Sequence, residues 1–288
     1  MNQKAIGVIA ILIAAVMWSL EPILIKFSYT NSDYLHTTVI RAIFIALTAL
    51  VYIFLTRTGN FKVNKNQLSV LVIIALVATV FGELIFLYAL TKTSIVNVVV
   101  LAHMQPVFIV LFGYFVLKTD KLNKIDYAGM ALMIIAGIMV TTKTFQNFIS
   151  FNIGTSTDLL VIASTIAWAT TAILARKYLH EMDAGVVVFY RYTIASLVLC
   201  AYVIITSKLA IANIYQVIVG VVVGIGIIMY YESIKRIKAA QAGALELSAP
   251  FFAALLGYIF FMETVTSMQF AGMLLMFAGV YFLSRKDA

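Results

Sequence analysis

Apolar runs, each about the length of a bilayer crossing, alternate with short polar breaks along the whole chain. They predict transmembrane helices near 5–26, 36–56, 68–91, 94–117, 124–141, 157–178, 184–206, 213–234, 240–262 and 267–284. The break Lys92-Thr93-Ser94 is short enough to make the third and fourth helices a tight hairpin. The first run contains Glu21-Pro22 and lacks a small-residue cleavage site, so it reads as an uncleaved first helix rather than a signal peptide.

Composition strengthens this picture. Hydrophobic residues make up 63% of the chain and charged residues 11%, with a mean hydropathy of +1.04; soluble domains hold about 45–50% apolar and about 25% charged residues. Spans and connecting loops consume the length and leave no sizeable soluble domain, so the lipid bilayer is the first partner. The net charge of +8 sits at helix ends rather than on an aromatic-interleaved patch, which excludes nucleic acid. Lys4, Arg57, Lys62, Lys118, Lys124, Arg176, Lys235 and Arg285 gather at one face with most of the other basic residues, whereas Lys26, Lys92, Lys143 and Lys208 fall at the other. Because cytoplasmic loops carry the excess of Lys and Arg, both termini are expected in the cytoplasm. Cys200 is alone and no Cys/His cluster exists, so neither a metal nor a cofactor is expected.

The two halves resemble each other. Trp18 aligns with Trp168 and Arg41 with Arg191 at the same offset, followed in order by Pro106 with Pro250, Gly113-Tyr114 with Gly257-Tyr258, and Ala128-Gly129-Met130 with Ala271-Gly272-Met273. Trp, Arg and Pro are rare inside membranes, so a duplication explains these matches better than chance. An odd number of helices per repeat turns the second repeat upside down, the architecture of alternating access. The expected fold is an all-α membrane protein of about ten transmembrane helices, built as two inverted five-helix repeats, 1–144 and 154–286.

These residues resemble the drug/metabolite transporter superfamily, specifically its EamA type, over essentially the whole chain. That resemblance implies a carrier, usually an exporter of amino acids or related metabolites, with a central cavity lined by the first, third and fourth helices of each repeat. The family commonly closes the fourth helix of each repeat with a glycine-glutamate pair. Here the second half has Met262-Glu263 and the first has Lys118-Thr119-Asp120.

Ionised side chains inside hydrocarbon are costly unless paired or hydrated, which makes them functional candidates. Arg41 and Arg191 are read as ion-pairing framework residues, and so is Glu232. Glu21 and Glu83 are the expected partners of Arg41, and two acids for one base leave one acid free to carry a proton or face a substrate ammonium. Arg191, Glu232 and Glu246 are expected to form a matching layer in the inverted half, with Glu246 a further coupling candidate. Pro106 and Pro250 are helix-kink positions; around the first, His103 and Gln105 read either as cavity lining or as interhelical hydrogen-bond glue. Trp18 and Trp168 lie in mid-helix, where they cap a cavity or simply pack. Glycines in the fifth and tenth helices permit close approach, and a homodimer contact through those helices is one expectation.

No ATP-binding glycine-rich loop is present, so coupling is expected from protons, another gradient or exchange. The chain lacks the charge rings or filter loop of a channel, the nucleophile or metal motif of an intramembrane enzyme, and the soluble domain of a sensor. The cargo is therefore read as a small molecule. Exchange or import of an anionic metabolite bound by Arg41 and Arg191 is the alternative.

Overall fold

The computed structural model describes residues 3–284 apart from 58–59, 118–123, 151–153, 180–181, 238–244 and 247. The apolar runs fold as helices because lipid offers no partner for backbone N–H and C=O groups, and a helix satisfies them within one segment. In chain order the elements are α1 (Gln3–Ser28), α2 (Tyr34–Thr56), α3 (Lys65–Leu90), α4 (Ile95–Ala102 and Gln105–Phe112, extended by Gly113–Leu117), α5 (Lys124–Thr142), α6 (Ser156–Leu179), α7 (Ala184–Thr206), α8 (Ile214–Ile234), α9 (Ser248–Phe261) and α10 (Ser267–Ser284). Seven of them are long and apolar enough to cross a membrane, and the described parts of α5, α9 and α10 are shorter apolar helices.

Polar residues in the breaks set several helix starts. Asn64 and Gln67 form a reciprocal capping box at α3, and Thr155 and Asp158 do the same at α6. Thr266 and Gln269 exchange equivalent bonds at α10, of 3.0 and 3.2 Å. Each box satisfies N–H groups that have no intrahelical acceptor.

Three local features depart from the sequence pattern. The fourth helix is two pieces rather than one continuous run over 94–117, broken at His103-Met104. Pro106 has no N–H and its ring would clash with the carbonyl of Ala102, so it begins a new helix instead of kinking an old one. In α3, Ala75–Glu83 winds as a wider π-helix, as do Gly113–Leu117 at the end of α4 and Ala175–Leu179 at the end of α6. A short helix, Phe145–Ile149, occupies the connection between the two halves.

The halves interlock. α1 packs on α8 and α6 on α3, while α2 lies against α7, α5 against α10 and α4 against α9. Two of these contacts are near copies. A Cβ added at Gly226 of α8 would meet Trp18 Nε1 at 3.1 Å, and one added at Gly82 of α3 would meet Trp168 Nε1 at 3.1 Å. One turn further on, Tyr230 packs on Trp18 and Phe86 on Trp168, with ring centroids 5.4 and 5.0 Å apart. Each tryptophan is therefore packed against the other half.

Gly272 and Gly279 of the tenth helix face the fifth within the chain, while Gly137 of the fifth faces Met104 of α4. A Cβ at Gly272 would stand 3.0 Å from Ala136 O, and one at Gly279 would stand 2.9 Å from Gly129 O. The close approach they permit is already used by α5 on α10, so this small-residue surface offers no argument for a dimer contact. Gly220 and Gly224 likewise seat α8 on α2, against Arg41 O and Thr48.

Candidate functional site

At the centre of the interlocked helices lies a buried ion network. Arg41 on α2 donates through Nη2 to Glu21 Oε1 of α1 and through Nη1 to Glu83 Oε2 of α3. Arg41 is 3% exposed and Glu83 2%. Glu83 Oε1 also accepts from Tyr192 Oη at 2.5 Å and from Arg191 Nη2 at 3.5 Å, both on α7. Arg191 Nε donates to Thr79 Oγ1 at 2.6 Å, one turn before Glu83 in the wide segment of α3. Two guanidinium groups thus face two carboxylates, and the fork geometry of arginine lets Arg41 bridge two acids at once.

This arrangement corrects the expectation of two separate charged layers. Arg191 does not join Glu232 and Glu246; it reaches across to Glu83, so the acid expected to be free is shared between two bases. Glu232 pairs within its own helix end, with Arg236 at 2.5 Å and Lys235 at 3.2 Å. The offset that aligns Arg41 with Arg191 aligns Glu21 with Thr171, whose Oγ1 is buried without a hydrogen-bond partner. The second half contributes the base of the pair but not its acid, which is why Arg191 borrows from the first half. Tyr192 and Thr79 were missed in the sequence; the available signals were their places beside Arg191 and one turn from Glu83.

The other candidates are spread around this centre. His103 sits at the break of α4, its Nδ1 2.7 Å from Val99 O and its Nε2 buried without a partner. Gln105 opens the second piece of α4, with Pro106 beside it. Glu246 lies partly buried at the approach to α9, where its neighbour Leu245 packs, as do Trp18 and Tyr230, against the buried cluster of Ile11, Ala14 and Ile237, and Pro250 is buried in the first turn of α9. The structure does not bring His103, Glu246 and the arginine network into one hydrogen-bonded cluster.

A vestibule of about 890 Å³ opens at the end of the bundle where α1 finishes and α2 begins. Its lining includes Tyr34, Lys92, Lys143, Phe261 and the ion pair Lys26–Glu263, of 2.7 Å. At the same end Asn97 of α4 donates to Asp158 at 3.4 Å and accepts from Gln269 Nε2 at 2.9 Å, so that the two capping-box side chains also tie α6 and α10 to α4. Asp33, in the connection from α1 to α2, caps α2 through the His36 N–H at 2.8 Å. Burial alone would raise the Asp33 carboxyl, but hydrogen bonds from the backbone and ring of His36, with its charge, outweigh burial and hold it below the ordinary range.

An apolar helical bundle with charges sealed at its centre defines a multi-pass protein of the cell membrane. The chain belongs to the EamA-like transporter family, whose sequence profile matches residues 5–142 and again 155–285. It is similar to an uncharacterized transporter of Methanothermobacter thermautotrophicus, 26% identical over 77% of this chain and 66% of that protein, just under two thirds of its length. It is also similar to a probable amino-acid metabolite efflux pump of Salmonella typhimurium, 24% identical over 96% of this chain and 93% of the pump. The uncharacterized inner membrane transporter YicL of the same organism is 21% identical over 99% and 97%. A solved crystal structure shares the fold, with a TM-score of 0.65, 14% identity, and coverage of 96% of this chain and 95% of the other.

Proposed function

We propose that this protein is a secondary transporter of small metabolites, exporting amino acids or related compounds by alternating access of two inverted five-helix repeats, 1–144 and 154–286. The observation that carries the reading is the central ion network, in which Glu83 of the first half is shared by Arg41 of the same half and Arg191 of the other. A charge network buried between two halves of a membrane bundle is costly to hold unless it serves a pathway or a conformational step. The exchanged glycine–tryptophan contacts and the twofold match of the family profile support inverted repeats, and the likeness to a probable amino-acid metabolite efflux pump of Salmonella supports amino-acid-like cargo. In this reading Glu21, Glu83 or Glu246 carries the coupling proton, and His103 and Gln105 line the path at the break of α4.

Anionic cargo bound by both arginines is disfavoured by the same geometry, because Glu21 and Glu83 already neutralise them. The test is purified protein in liposomes with an internal pH dye, challenged with pooled amino acids and other small metabolites under a proton gradient. Substrate-dependent proton movement, lost in one of Glu21→Gln, Glu83→Gln and Glu246→Gln, is the expected result. Uptake with proton movement unchanged in every variant assigns these acids to the framework, and uptake without proton movement even in the parent leaves facilitated exchange; no uptake of any compound overturns the transport reading.

A further inference from the structure

Three separate parts of the chain meet on the carboxylate of Glu263. α9 ends where Met262 adopts a left-handed conformation, φ 53°, disfavoured for a residue with a side chain. The Met262 N–H caps Tyr258 O at 3.0 Å, and the turned chain lets the Glu263 N–H reach Gly257 O at 3.2 Å. The side chain of Glu263 therefore folds back over the last turn of α9. Its Oε1 accepts from Lys26 Nζ of α1 at 2.7 Å, and its Oε2 accepts from the backbone N–H of Ile95, the first residue of α4, at 2.8 Å. That N–H has no intrahelical acceptor and lies at the positive end of α4, a good place for a carboxylate. The Lys26 ammonium also stands over the Phe261 ring, 5.4 Å from its centre.

We propose that Glu263 is the latch of a gate, closing the vestibule end of the bundle by holding α1 and α4 of the first half to the α9–α10 corner of the second. Opening this end requires Glu263 to leave Lys26 and Ile95 together. The two ion systems differ in a way that suits these roles. The Lys26 and Glu263 side chains keep 20% and 15% of their exposure and border a vestibule open to water, so water can rehydrate the two charges as they part and the pair separates at less cost than a sealed one. Arg41 and Glu83 are sealed, and separating them strands charge in a dry interior.

The gate rests on the alternating-access reading, but its test needs no cargo, so failure of uptake and failure of the gate are told apart. Full-length protein with Cys200→Ser is placed in lipid nanodiscs with one reporter cysteine. The α4 reporter is Val99→Cys, one turn beyond Ile95 and 4% exposed; the α7 reporter is Val187→Cys, 4% exposed near the start of that helix at the far end. A small charged methanethiosulfonate reagent labels each. Glu263→Gln and Lys26→Met are each expected to raise the labelling rate of the α4 reporter by about tenfold, the loss of one charge-assisted hydrogen bond, and to leave the α7 reporter unchanged. Unchanged rates at the α4 reporter in both variants overturn the latch. A rise at both reporters shows general loosening and overturns it too. A rise in Glu263→Gln alone assigns the hold to the Ile95 bond and overturns the three-way contact.

Discussion

Glu83 is the residue on which the central network converges, accepting from Arg41, Arg191 and Tyr192. Its removal leaves Arg191 with no acid among the described residues and Arg41 with Glu21 alone, one buried charge uncompensated, so Glu83→Ala is expected to destabilise the protein by about 3–5 kcal/mol, read as a lower unfolding midpoint in detergent. Arg41→Lys keeps the charge but not the fork; one acid loses its donor, at about 1.5–3 kcal/mol. Asp33 gives a contrasting effect at the surface. Its carboxyl titrates lower in the folded protein, so its stabilising contribution is complete above the ordinary Asp range and is lost as pH falls through the lowered folded value. The stability difference between the parent and Asp33→Asn is therefore expected to persist at neutral pH and to vanish in strong acid, measured by unfolding at a series of pH values. The acids available to Arg41 were readable in the sequence, because an arginine in an apolar run needs a counter-charge and few candidates lie near its depth. Arg191's reach to Glu83 was not, since it depends on α7 lying against α3, which no local pattern records.

At the scale of elements, glycines decide how closely the helices approach. A Cβ at Gly220 would stand 2.5 Å from Phe44 Cβ and 2.8 Å from the backbone oxygen of Arg41, whereas one at Gly257 would meet nothing nearer than 3.5 Å. Gly220→Ala must push α8 off α2, at about 1–3 kcal/mol. Gly257→Ala is expected to stay within about 0.5 kcal/mol of the parent. Thermal unfolding of the two variants side by side checks the pair, and equal effects would mean that the α2–α8 contact is softer than its geometry. The apolar runs showed where helices lie because length and hydropathy decide that locally. They did not show the break at His103-Met104 or the wide turn over Ala75–Glu83, because a helix pattern in lipid-facing sequence tolerates both without changing its composition. The glycines of α5 and α10 were visible as a close-packing surface, but nothing in the sequence said whether the partner was another copy or the same chain.

For the whole molecule, the distribution of charge implies an orientation. Arg57 and Lys62 lie between α2 and α3, whereas the vestibule end carries Lys26, Lys92 and Lys143, fewer in all than the far end. Retention of Lys and Arg in the cytoplasm during insertion would put the vestibule on the outer face and both termini inside, the orientation we propose. The Glu263 latch is then an outer gate, and the network of Arg41, Glu83 and Arg191 lies between it and the cytoplasm. This is checked in intact cells with Cys200→Ser combined with Ser32→Cys, in the α1–α2 connection, or with Asn60→Cys, in the α2–α3 connection. The Ser32→Cys variant is expected to react with an impermeant maleimide from outside, and the Asn60→Cys variant only after the membrane is opened. The opposite pattern would turn the protein over, make the latch a cytoplasmic gate, and require export to begin at the vestibule rather than end there.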